Sequence, residues 1–199
     1  EVAASQIELG AIEAALIVSG EDGRGLVEET LAGLLAHPGD DASLRTALKL
    51  AFASLTIGSG AAAVVLAHER LAPQAPRLDG GLTRVASEHH ELCQGDRAGA
   101  AGAQMATDSE ALLEAGIALA AQNYAGFLET LGWTHADVAR VVTHQVGSAH
   151  RRALLQRLEL EPSRDQPPCE TLGTPGSAAL PTALSLALAP RPLARGERM

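Results

Sequence analysis

Residues 141–150, Val141-Val142-Thr143-His144-Gln145-Val146-Gly147-Ser148-Ala149-His150, decide how this chain is read. A β-branched apolar run opening at Val138 ends in Thr-His-Gln and gives way to a helical pattern from Arg151 to Leu158. Short Val-rich runs pack as buried strands. The pattern therefore places one imidazole at the carboxyl end of a strand, just ahead of a helix. Open α/β folds put their ligand crevices at strand carboxyl ends. A histidine there can donate a hydrogen bond or move a proton near neutral pH. The same position also suits a solvated loop histidine, and spacing alone leaves both readings open.

Outward from that segment, Ser109 to Leu131 carries Leu112, Leu113, Ile117, Tyr124, Phe127, Leu128 and Leu131 on one broad helical stripe, read as core. Gly132 ends this helix, and Thr107-Asp108-Ser109-Glu110 fits a capping box at its start. Thr134 to Asp137 caps a short turn before a Val138–Thr143 strand. Downstream, Leu154, Leu155 and Leu158 face inward from an amphipathic helix, Pro162 to Pro168 is loop, and a last helix opens at Gly176 or Ser177 and stops at Pro190.

Toward the amino end, residues 1–9 read as helix closed by Gly10, Ala14 to Val18 as a buried strand, and Gly23 to Ala36 and Ala42 to Ala53 as helices. Thr56 to Ala67 reads as a buried central strand. Its glycines lie in neither a G-x-x-x-x-G-K-[ST] nor a G-x-G-x-x-G pattern, so a phosphate loop is the weaker alternative. Leu82 to Ser87 is a further strand, and Gln94 to Ala106, rich in Gly and Ala, is a flexible loop. Strands alternating with helices make the class α/β with a largely parallel sheet.

Bulk properties narrow the function. The 199 residues are 46% hydrophobic but only 2% aromatic, so Ala, Leu and Val must fill the core. A net charge of −9 without a basic tract argues against nucleic-acid binding. Two cysteines, Cys93 and Cys169, fit a reducing cytoplasm better than a disulfide framework. No apolar stretch approaches the roughly 20 residues that span a bilayer. The amino end has no Met and no signal-like core, and both ends read as interior sequence.

Three blocks carry a resemblance. One is Leu55-Thr56-Ile57-Gly58-Ser59-Gly60-Ala61-Ala62-Ala63-Val64-Val65-Leu66, with Leu71-Ala72-Pro73 and Ala75-Pro76-Arg77 behind it. The second runs from Gly80-Gly81-Leu82-Thr83-Arg84 through Glu91-Leu92-Cys93 to Thr107-Asp108. The third is Thr143-His144-Gln145 followed by Gly173-Thr174-Pro175-Gly176-Ser177-Ala178-Ala179-Leu180-Pro181. In order and spacing they resemble the β-ketoacyl synthase III-like condensing enzymes of the thiolase superfamily, in the branch of long-chain acyl-CoA condensing thiolases of bacterial olefin biosynthesis. The resemblance implies a layered α/β/α/β/α fold, this chain supplying mostly the second of two pseudo-repeated halves. Residues 1–54 would finish the amino-terminal half and its connecting helices. Residues 55–199 would form the carboxy-terminal half, short of its last strand. A cytoplasmic homodimer acting on acyl-CoA or acyl-carrier-protein thioesters, without a cofactor, is also implied.

Claisen condensation of acyl thioesters needs a thiolate to carry one acyl group and an oxyanion hole for the developing enolate. In the resembled family a Cys-His-Asn set does this. His144 matches the histidine. The asparagine position holds Thr174, whose single hydroxyl sits on a shorter, β-branched stem than an amide. Neither Cys93 nor Cys169 matches the nucleophile, which the resemblance puts upstream of Glu1. Arg151 and Arg152, beside His150, are candidate contacts to coenzyme A phosphates or a carrier arm, against the plainer reading of a solvated helix start. His89-His90 with Glu88 and Glu91 has no second pair at ligand spacing, so no metal site is expected. Two rivals stand beside condensation. One is a non-catalytic partner subunit, and the other is acyl transfer to an alcohol or amine.

Overall fold

The computed structural model describes residues 1–97, 103–144, 147–165 and 172–199. Helix α1 (Val2–Glu8) turns at Gly10, in the left-handed region at φ 70°, into strand β1 (Ala14–Glu21). Helices α2 (Arg24–Leu35) and α3 (Asp41–Leu55) follow, the second capped by the Asp40 carboxylate, which accepts from the Ser43 amide at 2.9 Å. Strand β2 (Gly60–Ala67) then pairs antiparallel with β1, from Ala14↔Ala67 to Glu21↔Gly60.

β2 is a strand, as its small apolar run requires, but it is not buried. Leu16, Val18 and Val65 share one face of the β1–β2 pair and are 67%, 66% and 70% exposed. Among the described residues nothing packs over that face. The parallel sheet expected from the alternation also differs. Both ladders among the described residues are antiparallel, and parallel pairing is confined to single bridges at Ile57↔Thr174, Val138↔Arg198 and Val141↔Asp165.

Leu82 to Ala86 forms no strand. Its Leu82 carbonyl accepts from the Asn123 side chain at 3.3 Å rather than from a neighbouring strand. A 3-10 turn, Ser87–Leu92, leads instead into a hairpin where a loop was expected. Strand β3 (Cys93–Arg97) pairs with β4 (Ala103–Thr107), Cys93 facing Thr107 and Arg97 facing Ala103. The Gly- and Ala-rich sequence gives no alternation to read. The hairpin's support comes from α3, where fully buried Ser54 donates its hydroxyl to the Met105 carbonyl at 3.4 Å.

Helix α4 (Ser109–Leu131) has the expected bounds and a left-handed Gly132 C-cap. Its N-cap is Asp108, which accepts from the Ala111 amide at 3.0 Å; Thr107 is buried in β4 instead, its hydroxyl 3.5 Å from the Cys93 sulfur. The expected capping box therefore does not form: the cap sits one residue later, and Ala111 at its N3 position has no polar side chain to answer it. The apolar stripe is only half-buried, with Leu112 at 37% exposure. The Thr134–Asp137 box does form, at a 3-10 turn. Beyond it lie α5 (Ser148–Arg157), a 3-10 turn at Pro162–Arg164, a second at Gly176–Ala178, and α6 (Ala179–Leu188). Val138, Leu154, Leu155, Leu160, Ala178, Ala183 and Ala187 are the buried aliphatic residues of this part, with α5 packed on α4 and α6 on β2.

Candidate active site

The strand expected over Val138–Thr143 forms no ladder among the described residues; the segment is held instead at three points. Arg198 bridges Val138, Asp165 bridges Val141, and the Asp165 carboxylate accepts from the Thr143 amide at 3.2 Å. Thr143 Oγ1 lies 3.3 and 3.2 Å from the two oxygens of that carboxylate. His144 follows immediately, so its backbone leaves a fixed point. Two residues after it lie outside the described set, and α5 begins at Ser148.

His144 is exposed as a residue, yet its pKa falls below the ordinary imidazole value because the surrounding protein desolvates the ring. His150, half-buried in the first turn of α5, is lowered by desolvation first and then by the charge of His144. Its Nδ1 is buried without a hydrogen-bond partner among the described residues. Burial penalises a charged imidazole, so both rings favour the neutral form at pH 7. A neutral imidazole keeps one N–H donor and one acceptor.

Thr174, the second candidate, is 8% exposed and is placed by a different contact. It forms the parallel bridge with Ile57: its amide donates to the Thr56 carbonyl at 2.9 Å, and its carbonyl accepts from the Gly58 amide at 3.2 Å. Two glycines permit this approach. Gly173 takes φ 66°, where a Cβ would stand 2.9 Å from the Thr56 carbonyl oxygen, and a Cβ on Gly58 would collide with the Leu172 carbonyl oxygen. The Gly58-Ser59-Gly60 run is thus not a phosphate loop. It is the bed on which the Gly173-Thr174-Pro175 turn lies.

The two arginines separate. Arg151 turns onto Asp165, with Nε 2.7 Å from Oδ2, and its Nη2 donates to the Pro162 and Asp165 carbonyls at 2.8 and 3.3 Å. Arg152 is exposed on the same helix. Cys93 is exposed at the start of β3, and Cys169 lies outside the described residues. No group of three His, Cys, Asp or Glu residues able to hold a metal occurs among the described residues. None of their helices is long and apolar enough to cross a membrane.

Sequence reading missed two charged residues. Asp165 has the look of a solvated loop acid, and nothing local distinguishes it. Arg140 did carry a signal, a cation inside Val138-Ala139-Arg140-Val141-Val142. It is 7% exposed, donates from Nη1 to the Ala187 and Arg191 carbonyls at 3.2 and 2.9 Å, and has Nε 3.1 Å from Glu197 Oε1. That last contact acts through charge, since Nε is not aligned for a hydrogen bond. The Ala194 amide first, then Arg140 and Arg191, holds the Glu197 carboxyl below its ordinary range.

The chain is similar to known proteins along its whole length. Residues 128–199 match the family described as 3-oxoacyl-[acyl-carrier-protein] synthase III C terminal. An acyl-CoA:acyl-CoA alkyltransferase of Xanthomonas campestris pv. campestris is 34% identical over 199 residues, covering 100% of this chain and 56% of the relative. The structure of Xanthomonas campestris OleA with bound lauric acid and lauroyl-CoA superposes with a TM-score of 0.85 at 33% identity, over 97% of this chain and 55% of that one. The 3-oxoacyl-(acyl carrier protein) synthase III, FabH, of Xanthomonas oryzae pv. oryzae gives a TM-score of 0.85 at 34% identity, over 98% and 55%. This chain spans about half the length of these relatives.

Proposed function

We propose that this chain, which is similar to the synthase III-like condensing acyltransferases and shares their thiolase-like fold, supplies the enolate-stabilising part of a Claisen condensation between acyl thioesters. The observation that carries the reading is His144, at the end of the extended Val138–Thr143 segment, with a desolvated ring that favours the neutral form. A neutral imidazole can donate its N–H to a thioester carbonyl whose oxygen becomes anionic as the enolate develops.

The covalent step falls to a cysteine outside this chain, since neither Cys93 nor Cys169 matches the family's nucleophile. That thiolate takes the first acyl group and releases the coenzyme A thiol. Deprotonation or decarboxylation of a second thioester gives an enolate, whose oxygen His144 holds. The carbanion attacks the acyl-cysteine carbonyl, a carbon–carbon bond forms, and the cysteine thiolate leaves. Thr174 would add a weaker donor where the family has an asparagine. With Arg151 committed to Asp165, Arg152 is the better candidate to meet coenzyme A phosphates or a carrier arm. The relatives' names and the lauroyl-CoA bound in one of them favour long-chain acyl-CoA over a carrier protein as donor. The uncovered β1–β2 face is where an amino-terminal half or a second copy of the chain would pack. The domain division at residue 54 and a cytoplasmic location belong to the same reading.

A His144→Ala variant, tested together with the nucleophile-bearing part, should keep its acyl adduct and lose β-keto product by about 10²–10³-fold, the worth of one oxyanion donor. Undiminished product would remove His144 from the mechanism. Thr174 favours one second reading, a non-catalytic partner subunit. Thr174→Asn should then leave product formation absent, whereas condensation predicts that it rises. Esters or amides as the products would indicate simple acyl transfer.

A further inference from the structure

We propose that Asp165 is a positioning residue for the condensing reaction, fixing the strand end that bears His144 against helix α5 through Thr143 and Arg151. The inference rests on the reading of His144 given above. The Asp165 carboxylate is fully buried and receives the Thr143 amide at 3.2 Å, the Thr143 hydroxyl at 3.2 to 3.3 Å and Arg151 Nε at 2.7 Å. Arg151 Nη2 in turn donates to the Pro162 and Asp165 carbonyls, which locks the guanidinium plane. Thr143 immediately precedes His144, and Arg151 immediately follows His150. One carboxylate therefore anchors both neighbours of the two imidazoles.

Stability alone gives no reason for this arrangement. A buried ion pair often contributes no more than apolar residues of the same volume would. Geometry does give a reason. Arg151 fixes the first turn of α5, where the buried Nδ1 of His150 stands without a hydrogen-bond partner among the described residues. The Thr143 bonds fix the backbone from which His144 departs. A misplacement of about 1 Å caused by a group remote from the chemistry can cost about 10²-fold in rate. Asp165 acts on His144 through Thr143, and its role in the proposal is positioning rather than proton transfer.

The test uses the enzyme complete with its nucleophile. Asp165→Asn should lower kcat by about tenfold to a hundredfold while KM for the acyl-CoA stays near the parent value. Thr143→Val should lower kcat less, and Thr143→Ser, which keeps the hydroxyl, should restore it. Proton NMR titration of the His144 and His150 rings, assigned by single His→Gln variants, supplies a readout independent of turnover. In Asp165→Asn both rings should move toward the ordinary imidazole value as the site loosens. A folded Asp165→Asn protein with parental kcat and parental ring titrations overturns the proposal. If that variant does not fold, equal kcat for Thr143→Val and Thr143→Ser overturns it. If the parent enzyme forms no condensation product, the reading of His144 fails by itself. The ring titrations then decide the brace, and unchanged rings in Asp165→Asn and Arg151→Lys count against it.

Discussion

Leu16 and Val65, paired across β1 and β2, stand 67% and 70% exposed, whereas Val138 and Leu155 toward the carboxy end are each 2% exposed. The sequences are similarly apolar, so hydrophobicity does not separate them. What differs is the supply of neighbours. The carboxy-terminal elements each find a partner: α5 packs on α4, α6 packs on β2, and the Val138–Thr143 segment is tied by bridges to Arg198 and Asp165 and by Arg140 reaching to Ala187 and Arg191. β1 and β2 pair with each other along one edge each and leave the face of Leu16, Val18 and Val65 bare. The carboxy-terminal part is not independent of them, since α6 packs on β2 and Thr174 bridges Ile57, but it leaves no comparable bare face around Val138 and Leu155.

The largest effect that would sharpen this contrast is core truncation. Leu155→Ala should cost about 2–5 kcal/mol in denaturant unfolding, while Leu16→Ala should stay within about 0.5 kcal/mol. Equal losses would mean that β1 is buried in solution, by self-association or otherwise. Next, Leu16→Lys combined with Val65→Lys should raise the solubility of the isolated chain without lowering its melting temperature. A sharp fall in melting temperature would show that the face is already covered. A smaller effect probes the shifted cap: Asp108→Ala should lower stability by about 1 kcal/mol. Loss of nothing there would return the capping role to Thr107.

The smallest expected effect is a pH dependence confined to the carboxy-terminal part. His144 and His150 have folded-state pKa values below their unfolded ones, both chiefly through desolvation. The unfolded chain therefore binds more protons in that window, and stability rises with pH across it. The contribution is complete above about pH 6.5, the unfolded imidazole value, and is lost as pH falls through the folded values. Exposure of His144 keeps it modest. The urea midpoint of the parent should fall relative to that of a His150→Gln variant as the pH is lowered. Parallel curves would refute the desolvated pair.

The same contrast explains what could be read from the sequence. Helix α4 was legible because 23 residues of periodic apolar pattern lie between a capping signal and Gly132. His144 was legible because a Val-rich run stops there. The β3–β4 hairpin was not, since Gly and Ala carry no alternation and its anchor, Ser54, lies 51 residues from Met105. Exposure of β2 was hidden for a related reason, because composition says that a face is apolar and not what covers it. Asp165 was hidden because a buried carboxylate is defined by partners 14 and 22 residues away, Arg151 and Thr143.

The central claim is that His144 serves an acyl-cysteine supplied from outside these residues. Its most direct test is denaturing intact mass of the protein from its native source after incubation with a long-chain acyl-CoA. The account predicts that a longer chain, or a second chain purifying with this one, gains the mass of one acyl group. A bare 20.4 kDa chain without adduct would contradict it, leaving His144 no nucleophile to serve.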